Sequence, residues 1–356
     1  MKNVMFIWLM VAGISLHASC DMFTNADLSA FKNKIFSDQA VVFSGNANKE
    51  LATKVTKELN VSLGNSIVQK FNDGEIQIQI QENVRNKDIY IVQPTCPCAT
   101  QSINDNLMEL FLLVRTMKRS SAKSVTAVIP YYGYARQDRK TSPRVPISAA
   151  DTALMLETAG VDRVLTVDLH CGQIQGFFKN SPVDNLYAAS VFIPYLITKK
   201  LNNVVVVSPD AGGVDRANKF KKQLAKKGIP SEIAMISKQR AGAGVIESMN
   251  LIGDVNGADV IIVDDMCDTG GTLVKAAKLL KDKGAKRVFA AITHPVFSGK
   301  ALKIIGESVI DEMVIADTIP LRAEAPSNIK VISVAPMLAE AIKRIQFGES
   351  VSELFQ

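Results

Sequence analysis

A short apolar run that gives way to paired acids and a glycine turn most limits what this chain can become. It reads Val260-Ile-Ile-Val-Asp-Asp-Met-Cys-Asp-Thr-Gly-Gly-Thr272. The β-branched part has the length and composition of a buried strand. Asp264 and Asp265 close that strand, and the chain then turns through Asp268-Thr269-Gly270-Gly271-Thr272. A helical pattern follows from Leu273 to Lys283, with Leu273, Ala276, Ala277 and Leu280 on one face. Strand, glycine turn and helix start form a phosphate cradle. The glycines let the backbone come close, and the first helical N–H groups point at the anion. The acids suit sugar hydroxyls and, directly or through water, a Mg²⁺. The segment predicts a phosphorylated sugar or nucleotide at the carboxyl edge of a sheet. It is not a Walker loop, because the Gly-Lys-Ser/Thr ending is missing. A plain strand and turn would leave the adjacent acids without a purpose.

The chain around it alternates strand and helix patterns. Ala40–Ser44, Asp88–Val92, Val125–Ile129, Arg163–Val167, Val204–Val207, Ile233–Ile236, Val260–Val263 and Val288–Thr293 read as strands. Ile76, Ile78 and Ile80 alternate with glutamines, as in a half-exposed strand. Lys49–Leu59, Asn106–Met117 and Pro336–Phe347 carry helical spacing. Such alternation indicates parallel α/β sheets. Val204-Val-Val-Val-Ser-Pro-Asp-Ala-Gly-Gly213 repeats the order of strand, acid, glycine pair and helix. The expectation is an α/β fold of two doubly wound parallel-sheet domains. They would cover 39–184 and 185–335, with 336–356 a C-terminal helix. Ligands would bind at the carboxyl strand ends.

With 356 residues, the chain is long enough for two domains. Its charge, 41 Lys and Arg against 35 Asp and Glu, is +6, which suits small anions and does not call for nucleic acid. Cys20, Cys96, Cys98, Cys171 and Cys267 are odd in number and lack paired spacings, so neither a disulfide framework nor a zinc set is expected. Lys2 precedes an apolar run, Val4–Leu16, which is too short to span a bilayer and resembles a signal-peptide core. Residues 1–38 are therefore set apart as a targeting segment or extension. A body that needs cytosolic substrates points to the cytoplasm. Organelle targeting or export by residues 1–20 is the alternative.

Four further clusters carry chemistry. Phe71-Asn-Asp73-Gly74-Glu75 precedes the half-exposed strand, and taken alone it is also an ordinary turn. Arg136, Gln137 and Arg139 crowd the loop after a strand and suit a triphosphate and a base edge. Asp168 and His170 end another strand. The imidazole can take a divalent metal, and Asp210 in Ser208-Pro-Asp210 can add an oxygen ligand. Lys238 and Arg240 would share one side of a continuing strand, before the run Ala241-Gly-Ala-Gly244. Cations on a flap suit closure over developing phosphate charge.

The 260–272 segment resembles the phosphoribosyl-pyrophosphate loop of the phosphoribosyltransferase-type fold. Residues 40–355 as a whole resemble the ribose-phosphate pyrophosphokinase family. The runs that carry this include Asn104-Asp-Asn-Leu-Met-Glu-Leu110, Tyr134-Ala-Arg-Gln-Asp-Arg139, Val167-Asp-Leu-His170, Gln173-Ile-Gln-Gly-Phe-Phe178 and Thr293-His-Pro295. The resemblance implies transfer of the diphosphoryl group of ATP to ribose 5-phosphate. By it, Asp73, Gly74, Glu75, Arg136 and Gln137 would bind ATP, and His170 and Asp210 would hold Mg²⁺. Lys238 and Arg240 would be the catalytic cations. Asp264, Asp265 and Asp268 through Thr272, with Arg240, would hold ribose 5-phosphate. The resemblance also implies a dimer-based hexamer. Phosphate and ADP would be effectors, with Arg85, Gln175, Ser298 and Gly299 as candidate contacts.

The chain departs from that pattern at Gln239, where the family often carries a charged residue, in Ala241–Gly244, which replaces a more basic run, and in a longer stretch at Pro97–Ser102. A phosphoribosyltransferase uses the same loop but usually needs one such domain. A non-catalytic regulatory subunit would be marked by loss of the cations or metal positions, and Lys238, Arg240, His170 and Asp210 are all present.

Overall fold

The structure is a computed structural model that describes Phe36, residues 38–242 and residues 245–355, with the side chains of all of these but 238–242 and 245–247. The signal-like residues 1–20 and Cys20 lie outside it.

The first half runs β1 (Ala40–Ser44), α1 (Lys49–Leu59), β2 (Ser66–Lys70), β3 (Ile76–Ile80) and β4 (Asp88–Val92). It continues through α2 (Ile103–Arg119), β5 (Ser124–Ile129), α3 (Ser148–Ala159), β6 (Arg163–Val167) and β7 (Val183–Leu186). The second half has α4 (Ala189–Ile197), β8 (Val204–Ser208), α5 (Val214–Lys226), β9 (Ser231–Gly242) and β10 (Val245–Ile252). Then come β11 (Asp259–Cys267), α6 (Gly271–Asp282), β12 (Arg287–Pro295) and α7 (Ala301–Gly306). β13 (Glu312–Ala316), β14 (Ile329–Ile332) and α8 (Ala335–Phe347) complete it.

Two parallel sheets result. The first has the order β1-β4-β5-β6-β7, and β2 and β3 form a separate antiparallel hairpin. The second has the order β10-β9-β8-β11-β12-β13-β14, parallel except where β10 pairs with β9. Its strand order reverses at β8, which has β9 on one side and β11 on the other. That is where a ligand crevice opens at the carboxyl ends.

The period of two along each strand explains how the layers pack. In β8, Val204 and Val206 face a core shared by both sheets, while Val205 and Val207 face a second core under α6. β11 repeats this, with Ile261 and Val263 inward to the shared core and Val260 and Ile262 to the other. In β4, Tyr90 and Val92 join the shared core, and Ile89 and Ile91 pack with α2 and α3. The face expected of α6 is the buried one: Leu273, Ala276, Ala277 and Leu280.

Three expectations need correction. The division near 184 falls inside β7, which pairs in register with β6, so the sheets change over between Leu186 and Val204. Residues 1–38 are not all outside the fold, because Phe36 is buried and stacks on Tyr90 with ring centroids 6.1 Å apart. The strand at Ile233–Ile236 continues to Gly242 and pairs antiparallel with β10, with Lys238 opposite Met249 and Arg240 opposite Ile246. Among the described residues, no helix is long and apolar enough to cross a membrane.

Candidate active site between the two sheets

The carboxyl ends of β6, β8 and β11 open onto one cavity of about 1140 Å³. As the sequence suggested, Asp264 and Asp265 lie near the end of β11, which runs on to Cys267. Asp264 is registered opposite Ile292 of β12. After Cys267, the chain turns through Gly270, whose φ of 78° opens α6 in the left-handed region. That backbone favours glycine, and a β-carbon there would also sit tightly against Ile305 Cγ1 at 3.3 Å. Asp268, Thr269, Gly270 and Thr272 line the cavity. Gly271 begins α6 and does not line it.

The paired acids are not equivalent. Asp265 is buried, and its Oδ2 lies 2.7 Å from His170 Nδ1. Its Oδ1 lies 3.1 Å from Arg216, which also reaches Asp264 at 3.2 Å. Burial opposes ionisation of Asp265, but the His170 hydrogen bond and the Arg216 charge outweigh it and hold this carboxyl well below the usual range. Burial and the adjacent Asp265 charge push Asp264 the other way. The Asp265 hydrogen bond also raises His170 against the cost of burying its ring.

Asp210 and His170 line the same cavity, and Asp210 Oδ1 accepts from Gly213 N–H at 3.1 Å. Arg136 enters from the loop after β5, and its guanidinium donates to Asp268 Oδ2 at 2.8 Å. Asp268 is held below the usual range although burial opposes this, because Ser298 and Arg136 donate to it and Arg136 adds charge.

Other expected residues are not brought in. Gln137 does not line the cavity, and its Oε1 accepts from the Ser148 hydroxyl. Asp73, Gly74 and Glu75 sit exposed at the tip of the β2–β3 hairpin and do not line it either. The side chains of Lys238 and Arg240 lie outside the described residues. Of the candidate effector contacts, Ser298 N–H donates to Asp268 O at 3.0 Å, and Gln175 folds back onto Gly172 O at 3.1 Å.

Sequence reasoning missed Arg216 altogether. Its only local signal is an arginine in the first turn of a helix after Gly212-Gly213. It also passed over the roles of Asp168 and His294. Asp168 has a φ of 41° and accepts from Thr293 Oγ1 at 2.6 Å and from Ala188 N–H at 3.0 Å. His294 Nε2 lies 3.1 Å from Val167 O, an acceptor, so the proton sits on Nε2. Together they tie the end of β6 to β12. The four described cysteines are free thiols.

Residues 40–160 match the family model described as the N-terminal domain of ribose phosphate pyrophosphokinase. Residues 229–356 match that of the phosphoribosyl synthetase-associated domain. A ribose-phosphate pyrophosphokinase of Wolinella succinogenes is 53% identical over 314 residues, which is 88% of this chain and 98% of that protein. The chain belongs to the ribose-phosphate pyrophosphokinase family. A Campylobacter jejuni member is 52% identical over the same shares of the two chains. The crystal structure of phosphoribosylpyrophosphate synthetase from Mycobacterium smegmatis superposes with a TM-score of 0.79 at 39% identity, over 87% of this chain and 99% of that one. As a ribose-phosphate pyrophosphokinase family member, the chain is a diphosphotransferase.

Proposed function

We propose that this cavity transfers the β,γ-diphosphoryl group of ATP to the C1 hydroxyl of ribose 5-phosphate. The products are AMP and 5-phosphoribosyl 1-diphosphate, which feeds nucleotide biosynthesis. The observation that carries this reading is the convergence of the 268–272 turn, the acids of β11 and Arg136 on one cavity. The 5-phosphate anchors in the turn and Asp264 faces the ribose hydroxyls. The C1 oxygen attacks the β-phosphorus in line, and the bond from that phosphorus to the α–β bridging oxygen breaks. AMP leaves with the electron pair, and the hydroxyl proton goes to solvent. Positioning and charge stabilisation supply the rate. Arg136 meets the ATP phosphates, and Lys238 and Arg240 close on the transferred group.

The donors fit Mg²⁺. His170 and Asp210 line the cavity and offer a small, partly oxygen set. Mg²⁺ characteristically keeps waters and takes one or two carboxylates with substrate phosphates. When bound, it would neutralise charge on the ATP oxygens.

The hairpin tip with Asp73, Gly74 and Glu75 lies outside its own chain's cavity, which supports a homo-oligomer in which one copy's hairpin completes the nucleotide site of another. Mixing inactive Glu75→Ala with inactive Asp268→Ala protein would then restore activity, and no restoration would contradict it. Phosphate and ADP are proposed effectors, and the cytoplasm, where both substrates are held, is the proposed location. The reaction is tested with α-labelled ATP. Labelled AMP should appear only with ribose 5-phosphate, and labelled ADP would contradict the reading.

A further inference from the structure

Asp265 lies in the sequence beside Asp264 as if both served the sugar, but the structure gives its two oxygens other work. Oδ2 accepts from His170 Nδ1 at 2.7 Å, and Oδ1 lies 3.1 Å from Arg216. The side chain is only 3% exposed, whereas that of His170 is 37% exposed. Arg216 in turn donates to the His170 carbonyl at 3.3 Å and to Asp264 Oδ1 at 3.2 Å. Four groups from three segments thus close a ring around the imidazole: the end of β6, the first turn of α5 and the end of β11.

We infer that Asp265 and Arg216 are positioning residues for His170, fixing its ring so that Nε2 faces the cavity as the free ligand nitrogen. A carboxylate can only accept, so the neutral ring carries its proton on Nδ1. Nδ1 is then occupied, and Nε2 is the nitrogen left for a cation in a cavity that His170 lines. Arg216 holds the far oxygen of Asp265 and the backbone of His170 at once, so neither the carboxylate nor the ring can turn away alone. Outer partners of this kind typically change metal affinity about 10–100-fold when removed. Asp264, whose carboxylate is less buried, is left as the acid that meets the sugar. The inference rests on the reading of His170 as a metal position and assigns its neighbours.

The test uses Mn²⁺ alone, measured by water-proton relaxation on the full chain without substrates. Ribose 5-phosphate binding is measured separately without metal. Asp265→Asn and Arg216→Gln should each weaken Mn²⁺ about 10–100-fold with a normal circular dichroism spectrum, and Asp265→Asn should leave ribose 5-phosphate affinity within about 2-fold. Arg216→Lys should recover part of the loss. Weakened ribose 5-phosphate with unchanged Mn²⁺ would make Asp265 a sugar ligand and overturn the inference. His170→Ala separates the two readings. If it leaves Mn²⁺ binding intact, the metal position itself is wrong. If it weakens Mn²⁺ while Asp265→Asn does not, the positioning role is wrong. Should the variants not fold, the ¹⁵N shifts of wild-type His170 in its neutral state decide the matter. A protonated Nδ1 and bare Nε2 are expected, and the reverse tautomer would overturn the proposal.

Discussion

Arg136 and Asp268 form an ion pair of 2.8 Å between the loop after β5 and the loop after β11, so the two halves of the chain meet inside the cavity. Arg136 is 55% exposed, so the pair adds little to stability, on the order of 0–1 kcal/mol. Its value lies in geometry. Arg136→Ala and Asp268→Ala should each lower kcat/KM by about 10²-fold or more, a magnitude typical of removing one charge-stabilising donor. A double-mutant cycle should show strong non-additivity. Additive losses would mean that the two residues act independently.

Gly270→Ala should cost stability and sugar-phosphate binding together. The position combines a left-handed backbone with a close approach to Ile305. The expected destabilisation is about 1–3 kcal/mol, read as a lower unfolding midpoint. Gly271→Ala meets nothing within 4 Å and should leave that midpoint nearly unchanged. Equal losses of stability at the two glycines would contradict this account.

Much of this was legible in sequence because it is local. The strand at 260–263 and the buried face Leu273, Ala276, Ala277 and Leu280 follow from periods of two and 3.6, and neighbours in sequence suffice to show them. β13 and β14 were not read as strands; β14 is only four residues long at the sheet edge, and its exposed Lys330 and Val331 blur the period of two. β7, read as a boundary, is Val-Asp-Asn-Leu, whose polar centre hides its pairing with β6. In the site, Asp264 and the 268–272 turn were legible as a contiguous motif. Arg216 was not, because it matters only once α5 brings it to acids 48 residues away. Asp265 was legible as an acid but not as the partner of His170, which lies 95 residues distant.

Asp259 should separate stability from catalysis. It begins β11, five residues before Asp264, so roughly 17 Å of strand divides it from the cavity end. Its carboxylate is buried, pairs with Arg287 at 2.5 Å and accepts from Asn202 N–H at 2.7 Å. Because Arg287 is partly exposed, Asp259→Ala should cost about 1–3 kcal/mol, less than a fully buried pair. KM for both substrates should stay unchanged. A shift in KM without destabilisation would refute this division of labour.

His294 predicts a mildly acidic limit to stability. Burial holds its pKa below the ordinary 6.5. The unfolded chain therefore binds a proton near that pH that the folded chain refuses, so stability falls as pH drops through and below about 6.5. The carboxylates Asp88 and Asp259, whose pKa values are lowered from 3.8, act only at more acidic pH. His170 and Asp264, whose pKa values are raised, act in the opposite sense over the same range. The His294 contribution is therefore read as a difference: between pH 7 and 5 the unfolding midpoint of the wild type should fall relative to that of a folded His294→Gln variant. Parallel curves would exclude His294 as the source.

The central claim is attack by the sugar oxygen on the β-phosphorus of ATP. It is tested most directly by phosphorus NMR of the full chain turning over ATP with ribose 5-phosphate freshly labelled with ¹⁸O at its C1 hydroxyl. The account predicts equal amounts of AMP and a sugar diphosphate, with the ¹⁸O isotope shift on the phosphorus attached to C1. ADP with a sugar phosphate ester, or a sugar diphosphate without the isotope shift, would contradict it.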